Sequence, residues 1–383
     1  MEVKDQFTLL YNSLKTTPIP VASPLAAYQH DRKEIDAAFR RVMDSGRYIL
    51  GPEMEQFESE FANYLGVRFA VGVASGTEAL WLALRAADIG EGDKVLAPSL
   101  TASATIAAIV ETGARPVFVD LDPRRLTIDP SLIASQIDSR TRAIMPVHLY
   151  GNPADMTAIM ALAQEQNLIV IEDCAQAHGA RHAGKRVGTF GRAAAWSFYP
   201  TKNLGAFGDG GMVTTDDPQI ADRLRSLREY GWRERYHSSE HGWNSRLDEL
   251  QAALLRVRLK HLDEDNARRR EIARRYRAAL PAEVRGPACA EDDEGVEHLF
   301  VIRHPRRDAL REKLRELGVG AAVHYPHPCH LQDAYRGYGD GLGSLPITEQ
   351  ACREVLSLPM YSELSEAEVE QVIATVYQAV AEI

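Results

Sequence analysis

The chain has 383 residues and a mass of 42.5 kDa, with 44 Lys+Arg against 54 Asp+Glu and a formal net charge of −10. An apolar fraction of 45% and a charged fraction of 26% are those of a folded globular protein. They exclude a disordered tail, a collagen and a disulfide-stapled miniprotein. The acidic balance, without a Lys/Arg block, argues against non-specific nucleic-acid binding, so a phosphorylated ligand needs a local cluster of cations or amides.

Residues 1–30 read as an N-terminal arm in which Pro18, Pro20 and Pro24 interrupt helix. The first twenty residues carry no apolar core of a secretory leader, and no apolar run approaches the ~20 residues that span a bilayer. Cys174, Cys289, Cys329 and Cys352 form no Cys-x-x-Cys pair. This sparse usage suits a reducing cytoplasm.

Two amphipathic helices are expected near Lys33–Ser45 and Glu53–Leu65, closed by Gly46 and Gly66. A βα rhythm follows. Strands are expected at Phe69–Val73, Lys94–Ala97, Arg115–Asp120, Ala143–Val147 and Leu168–Glu172. Helical stretches at Glu78–Ala87, Ala102–Thr112, Pro130–Ile137 and Asp155–Asn167 separate them, and Ala193–Phe198 and Gly211–Thr215 read as further strands. Alternation of this kind predicts an α/β fold: a mostly parallel sheet flanked by helices, with ligands beyond the carboxyl ends of its strands. From about Asp265 the rhythm changes, which predicts a large domain over 31–262 and a smaller C-terminal α+β domain over 263–383.

Several motifs carry chemistry. Ser75-Gly76-Thr77 lies between a strand and a helix. Its free N–H groups suit a phosphate, although an ordinary N-cap also accounts for it. Asp173 ends a buried strand, where its carboxylate either caps the next segment or pairs with a cofactor ring N–H⁺; His178 follows five residues on. Lys202 comes just after a strand in a Pro/Gly-rich turn, Tyr199-Pro200-Thr201-Lys202-Asn203. Desolvation there would give a nucleophilic amine, while a solvated loop lysine is the plainer alternative. Gly242-Trp243-Asn244-Ser245-Arg246 is read as opening an amphipathic helix, with Asn244 near the N-cap and Arg246 in the first turn. Arg233, Arg235 and Arg246 are candidate cations for a diphosphate. Three histidines in His324-Tyr325-Pro326-His327-Pro328-Cys329-His330 raise a metal-hydrolase alternative. Their spacing matches no standard metal site, so no metal is assigned and a substrate-lining loop is expected. Gly-x-Gly-x-x-Gly and Walker motifs are missing, and Gly72-Val73-Ala74-Ser75-Gly76 misses the nucleophile elbow by one position.

Together these residues resemble the DegT–StrS family of pyridoxal-phosphate-dependent sugar aminotransferases, of the aspartate aminotransferase fold type (type I). The resemblance runs from Gly51-Pro52-Glu53 through His324–Gln332 to Leu358-Pro359-Met360. It implies that Lys202 holds the cofactor covalently, that Asp173 binds its pyridine nitrogen and that Gln176 binds its phenolic oxygen. Gly76, Thr77 and Ser197 would hold the phosphate, reached by Asn244 from a partner subunit in a homodimer with shared active sites. Pyridoxal 5'-phosphate, passing through pyridoxamine 5'-phosphate, is the implied cofactor. L-Glutamate is the implied donor and a nucleotide-linked keto-sugar the acceptor. His178, Tyr199, Arg246, His324, Tyr325 and His330 are candidate substrate contacts.

The chain departs from many members at Ala102, where they place an aromatic residue against the ring. It keeps Lys202 where dehydratase relatives have histidine. Gln176-Ala177-His178-Gly179 and Phe198–Lys202 are similar to the branch that aminates C3, pointing to a deoxythymidine-linked 3-keto-6-deoxyhexose. A C4 keto-sugar or cyclitol acceptor and a cofactor-binding regulator without catalysis are the alternatives.

Overall fold

Proline and glycine set the first helix boundaries. The computed structural model describes residues 18–383, and residues 1–17 of the expected arm lie outside it. Pro24 does not interrupt helix but begins one. α1 (Pro24–His30) is capped by Ser23, whose hydroxyl accepts the Ala26 N–H at 3.2 Å. Proline has no N–H to leave unsatisfied in a first turn. α2 (Arg32–Ser45) and α3 (Pro52–Leu65) end at Gly46 and Gly66, with φ of 65° and 84°. This is the left-handed region that glycine enters without a Cβ penalty.

The βα rhythm gives β1 (Phe69–Val73), α4 (Gly76–Ala86), β2 (Lys94–Pro98), α5 (Ser103–Glu111) and β3 (Arg115–Val119). β4 (Thr141–Ile144), α6 (Met156–Glu165), β5 (Ile169–Asp173), β6 (Ala193–Ser197) and β7 (Gly211–Thr215) follow. The stretch expected as one helix at 130–137 is a short α-turn, Pro130–Ile133, continued by a 3-10 turn. The seven strands form one sheet in the order β1-β7-β6-β5-β4-β2-β3, and only β7 runs antiparallel to its neighbours.

Both sheet faces are covered, as a largely parallel sheet requires. Leu80, Leu84, Ile106 and Ile109 of α4 and α5 pack on one side with Leu224 of α7 (Pro218–Leu227). On the other side Phe57 and Phe61 of α3 meet Phe198 and Trp196, with ring centroids 5.3 and 5.2 Å apart. α8 (Glu249–Leu259) locks α3 in place. The buried Glu249 carboxylate accepts the N–H groups of Gly51, Glu53 and Met54 at 2.9, 3.0 and 2.9 Å, satisfying the start of α3. A Cβ on Gly51 would stand 2.7 Å from a Glu249 oxygen, so a larger residue there would push the carboxylate from its place.

Beyond α9 (Leu262–Ala279) the chain builds a second cluster of buried residues. β8 (Phe300–Arg303) pairs antiparallel with β9 (Val355–Leu358), under α10 (Arg307–Glu316) and α12 (Glu366–Ala381); α11 (Pro346–Glu354) leads into β9. Ile272, Tyr276, Leu310, Val372 and Val376 fill this cluster, and Ile19 of the arm joins it. Among the described residues no helix is long and apolar enough to cross a membrane.

Candidate active site

Residues from distant parts of the chain meet at the carboxyl ends of β1, β5 and β6, the side on which parallel sheets collect ligands. β1 runs into Ser75, the N-cap of α4, whose hydroxyl accepts the Glu78 N–H at 3.2 Å. The N–H groups of Gly76 and Thr77 occupy the first turn, where no intrahelical acceptor exists. Thr77 is exposed and Ser197, at the end of β6, is partly exposed beside it. A Cβ on Gly76 would stand 2.5 Å from the Ser197 Cβ and 3.0 Å from its Oγ. Gly76, Thr77 and Ser197 are therefore brought together, with the Gly76 and Thr77 N–H groups free of intrahelical acceptors.

Asp173 closes β5 and is buried. Its Oδ1 accepts the Ala175 N–H at 3.1 Å and its Oδ2 the Thr105 hydroxyl at 2.8 Å. Burial raises its pKa above the ordinary value, opposed by those two hydrogen bonds and by the charge of Lys202. Lys202, in the turn after β6, is partly exposed. Burial brings its ammonium down from 10.5 to about 8, while the Asp173 charge pulls the other way. Gln176 is oriented at both ends of its amide. Its Oε1 accepts the Tyr150 N–H at 2.6 Å and its Nε2 donates to the Tyr325 hydroxyl at 3.2 Å. Burial, followed by the Asp173 charge, pushes the Tyr325 phenol up to about 12.

Three imidazoles lie within the field of Lys202. His178 is fully buried against Trp196 and Phe198, with centroids 5.4 and 5.8 Å away. Neither of its ring nitrogens has a well-formed hydrogen bond among the described residues. Burial, then the lysine charge, lowers it to about 3; the nearby Ser197 backbone opposes this without making a hydrogen bond of proper geometry. His324 meets the Ser357 hydroxyl at 2.9 Å, and burial and Lys202 lower it to about 4. The third, His298, was not singled out from the sequence. Its Nδ1 meets Asn203 Oδ1 at 3.2 Å, and it is held well below the usual range by burial and by Lys202. Only its position at the edge of β8 hinted at a role.

Other expected residues fall differently. Tyr199 is 53% exposed beside the cleft. α8 begins at Glu249 with Asp248 as N-cap, so Asn244 and Arg246 precede the helix instead of capping it. Asn244 lies in a bridge to Glu229. Ser245 turns inward, donating to the Glu78 carboxylate and accepting the Ala74 N–H at 3.1 Å. The alternation leaves Asn244 exposed and Arg246 partly exposed, with no ion-pair partner for Arg246 among the described residues. Arg233 is paired with Asp222.

His330 corrects the sequence expectation. It is fully buried, with Nδ1 on Ser99 Oγ at 2.8 Å and Nε2 near Glu349 at 3.3 Å, so its ring has no free edge for a substrate. His327 is exposed, and the three histidines of that loop face separate surroundings. Ala102 is the N-cap of α5 and is partly exposed.

The chain is similar to characterised proteins over almost its whole length. The sequence profile described as the DegT/DnrJ/EryC1/StrS aminotransferase family matches residues 29–377. The chain is 50% identical over 365 residues to a dTDP-3-amino-3,4,6-trideoxy-alpha-D-glucose transaminase of Streptomyces venezuelae, covering 94% of this chain and 96% of that protein. It is 50% identical over 346 residues to a dTDP-3-amino-3,6-dideoxy-alpha-D-galactopyranose transaminase of Aneurinibacillus thermoaerophilus, covering 90% and 95%. The fold superposes with a TM-score of 0.93 on the crystal structure of S. venezuelae DesV in complex with a ketimine intermediate, at 50% identity and covering 95% and 98% of the two chains. A match over almost the whole length, with the lysine and the aspartate at the ends of adjacent strands, makes this chain a member of the DegT/DnrJ/EryC1/StrS aminotransferase family, whose enzymes depend on pyridoxal phosphate.

Proposed function

We propose that the protein transfers the amino group of L-glutamate to C3 of a nucleotide-linked keto-sugar, a dTDP-3-keto-6-deoxyhexose, using pyridoxal 5'-phosphate. The observation that carries the reading is an amine at Lys202 within the field of the Asp173 carboxylate, on the sheet edge that also carries the Gly76–Ser197 contact. The donor set fits the cofactor. Asp173 has acceptor capacity to spare for a ring N–H, Gln176 is held for a phenolic oxygen, and Gly76 keeps the phosphate cup clear where a Cβ would collide with Ser197. Bound there, pyridoxal phosphate supplies an electron sink conjugated to the carbon that loses its proton.

Each residue then has a task. Thr77, Gly76 and Ser197 would hold the phosphate and so keep the cofactor in place when Lys202 is free. Asp173 keeps the ring nitrogen protonated. Lys202 would hold the cofactor covalently and, once freed, would take and return a proton on Nζ at the reacting carbon; an amine near pKa 8 can do both near neutral pH. Glutamate leaves as its 2-oxo acid, and the same steps in reverse deliver the amino group to the keto-sugar. His178, His324, Tyr325, Tyr199 and Arg246 border the substrate space. C3 regiochemistry is supported by the names of the two relatives at 50% identity.

The active unit in this reading is a homodimer in which Asn244 of each chain reaches the other's phosphate cup. Leu25, Phe39, Met43, Tyr48 and Ile49 are 63, 48, 44, 47 and 46% exposed, an apolar face that a monomer has little reason to keep open. Residues 31–262 would form the cofactor-binding domain and 263–383 the smaller one. The reaction is assigned to the cytoplasm, in keeping with four free thiols.

Incubation of the purified protein with pyridoxal phosphate, L-glutamate and a panel of nucleotide-linked 3-keto and 4-keto deoxyhexoses tests the reading. Amination at C3, located by NMR, is expected. Failure to take up the cofactor overturns the whole assignment, and amination only at C4 overturns the regiochemistry.

A further inference from the structure

β5 ends in two adjacent buried acids that face opposite sides of the sheet and are treated differently. Glu172 accepts the N–H groups of Gly188, Phe190 and Gly191 at 2.7, 2.8 and 2.7 Å, and His148 Nε2 lies 3.2 Å away. His148 Nδ1 accepts the Ala154 N–H at 3.1 Å, which leaves Nε2 to carry the proton offered to Glu172. A carboxylate has about four acceptor positions, so Glu172 is saturated. Asp173 has only two donors, the Ala175 N–H and the Thr105 hydroxyl.

The direction of the Asp173 bonds is fixed by proton count. An ionised Asp173 has no proton to give, so Thr105 spends its single proton on Oδ2. The contact of 2.7 Å between Thr101 Oγ1 and Thr105 Oγ1 must then be donated by Thr101. Thr101 and Thr105 are 2% and 0% exposed, so neither hydroxyl faces bulk solvent. Both belong to the segment that opens α5, whose first turn follows the N-cap Ala102.

We propose that Thr105, backed by Thr101, is a positioning residue that keeps Asp173 ionised and aimed, and thereby sets the protonation of the cofactor's ring nitrogen. The proposal rests on the functional reading above. The other groups around Asp173 do not replace the relay. Lys202, from the turn after β6, favours the anion by its charge but makes no hydrogen bond to its carboxylate, and His148, from the turn after β4, gives its proton to Glu172. Tyr325 is pushed up to about 12 and the Cys174 thiol well above its ordinary value, in both cases chiefly by burial. Neither therefore adds a negative charge near neutral pH. Removing the Thr105 hydroxyl leaves a buried carboxylate with one donor. A hydrogen bond to a charged group corresponds to roughly 10- to 100-fold in an equilibrium, so the carboxyl titration should move up by about one to two pH units.

The test is a titration of the cofactor-free protein with ¹³C-labelled aspartate carboxyls, with the Asp173 signal identified by its loss in Asp173→Asn. Thr105→Val should titrate about one to two units higher than wild type, Thr101→Val higher by less, and Thr105→Ser like wild type. In the loaded protein Thr105→Val should bind pyridoxal phosphate at least about tenfold more weakly. Wild-type titration in Thr105→Val, or valine-like titration in Thr105→Ser, overturns the relay. If Thr105→Val does not fold, Thr101→Val decides, since that hydroxyl is hydrogen-bonded to Thr105 and not to Asp173; an unmoved titration there rejects the relay. A wild-type protein that takes up no pyridoxal phosphate overturns the functional reading instead, and the cofactor-free titration still judges the hydroxyl pair.

Discussion

Lys202 offers the most direct test of the site. Burial brings its amine to about 8 from an ordinary 10.5. At pH 7 an amine of pKa 8 is neutral in roughly one molecule in ten, and an amine of pKa 10.5 in roughly three in ten thousand, so the nucleophilic form is enriched about 300-fold. Competitive labelling of the cofactor-free protein with a trace acylating reagent, read by mass spectrometry over pH 6–11, should give Lys202 a reactivity midpoint near 8. The charge of Asp173 works against burial at this amine, so Asp173→Asn should move the midpoint further down. The stability signature has a definite sign. Between pH 8 and 10.5 the unfolded chain binds more protons at this position than the folded one, so the Lys202 contribution makes stability rise with pH there. Lys202→Met should remove that rise. A midpoint near 10.5, or an upward move on Asp173→Asn, refutes the electrostatic argument.

Other outcomes are equally specific. Gly76→Ala forces a Cβ to within 2.5 Å of the Ser197 Cβ; about 1–3 kcal/mol of stability should be lost in urea unfolding, together with cofactor affinity, and unchanged values would show that the cup yields freely. Glu249→Ala strips three N–H groups of their acceptor at the start of α3 and should cost about 2–5 kcal/mol, measured by chemical denaturation; a loss under about 1 kcal/mol would contradict the capping role. Burial pushes the Glu172 carboxyl up, but His148 and the N–H groups of Gly191 and Gly188 outweigh it and hold the group below its ordinary value. Its stabilisation is therefore complete above about pH 4.5 and is lost as pH falls through the lower folded value, so Glu172→Gln should be less stable at pH 7 and show a shallower acid decline.

Local features were legible because they obey local rules. Gly46 and Gly66 end helices, Phe69–Val73 and Gly211–Thr215 are strands with the expected bounds, and Asp173 and Lys202 fall at strand ends because the βα rhythm puts them there. What stayed hidden depends on pairing across distance. The Asn244 cap was misplaced because Asp248 and Glu249 compete for the same helix start, and Glu249 has a second role at Gly51 that no spacing reveals. Thr105 and Thr101 look like ordinary polar residues at the start of an apolar helix until the fold brings that start to the end of β5. His330 reads as a substrate contact because exposure is not written in a motif, whereas Ser99 and Glu349 enclose it from far along the chain. β9 escapes a reading from sequence because it is four residues whose partner β8 lies more than fifty positions earlier.

The clamp between Glu249 and the start of α3 has a bearing on biosynthesis. Gly51 and its carboxylate partner are 198 positions apart. At about 5–20 residues per second, a ribosome needs about 10–40 s to make the second after the first. Through that interval Phe57 and Phe61 have no completed surface to close on, so the half-made chain presents an adhesive aromatic strip. A holding chaperone acting on nascent polypeptides has its opportunity there, and slowing translation lengthens it.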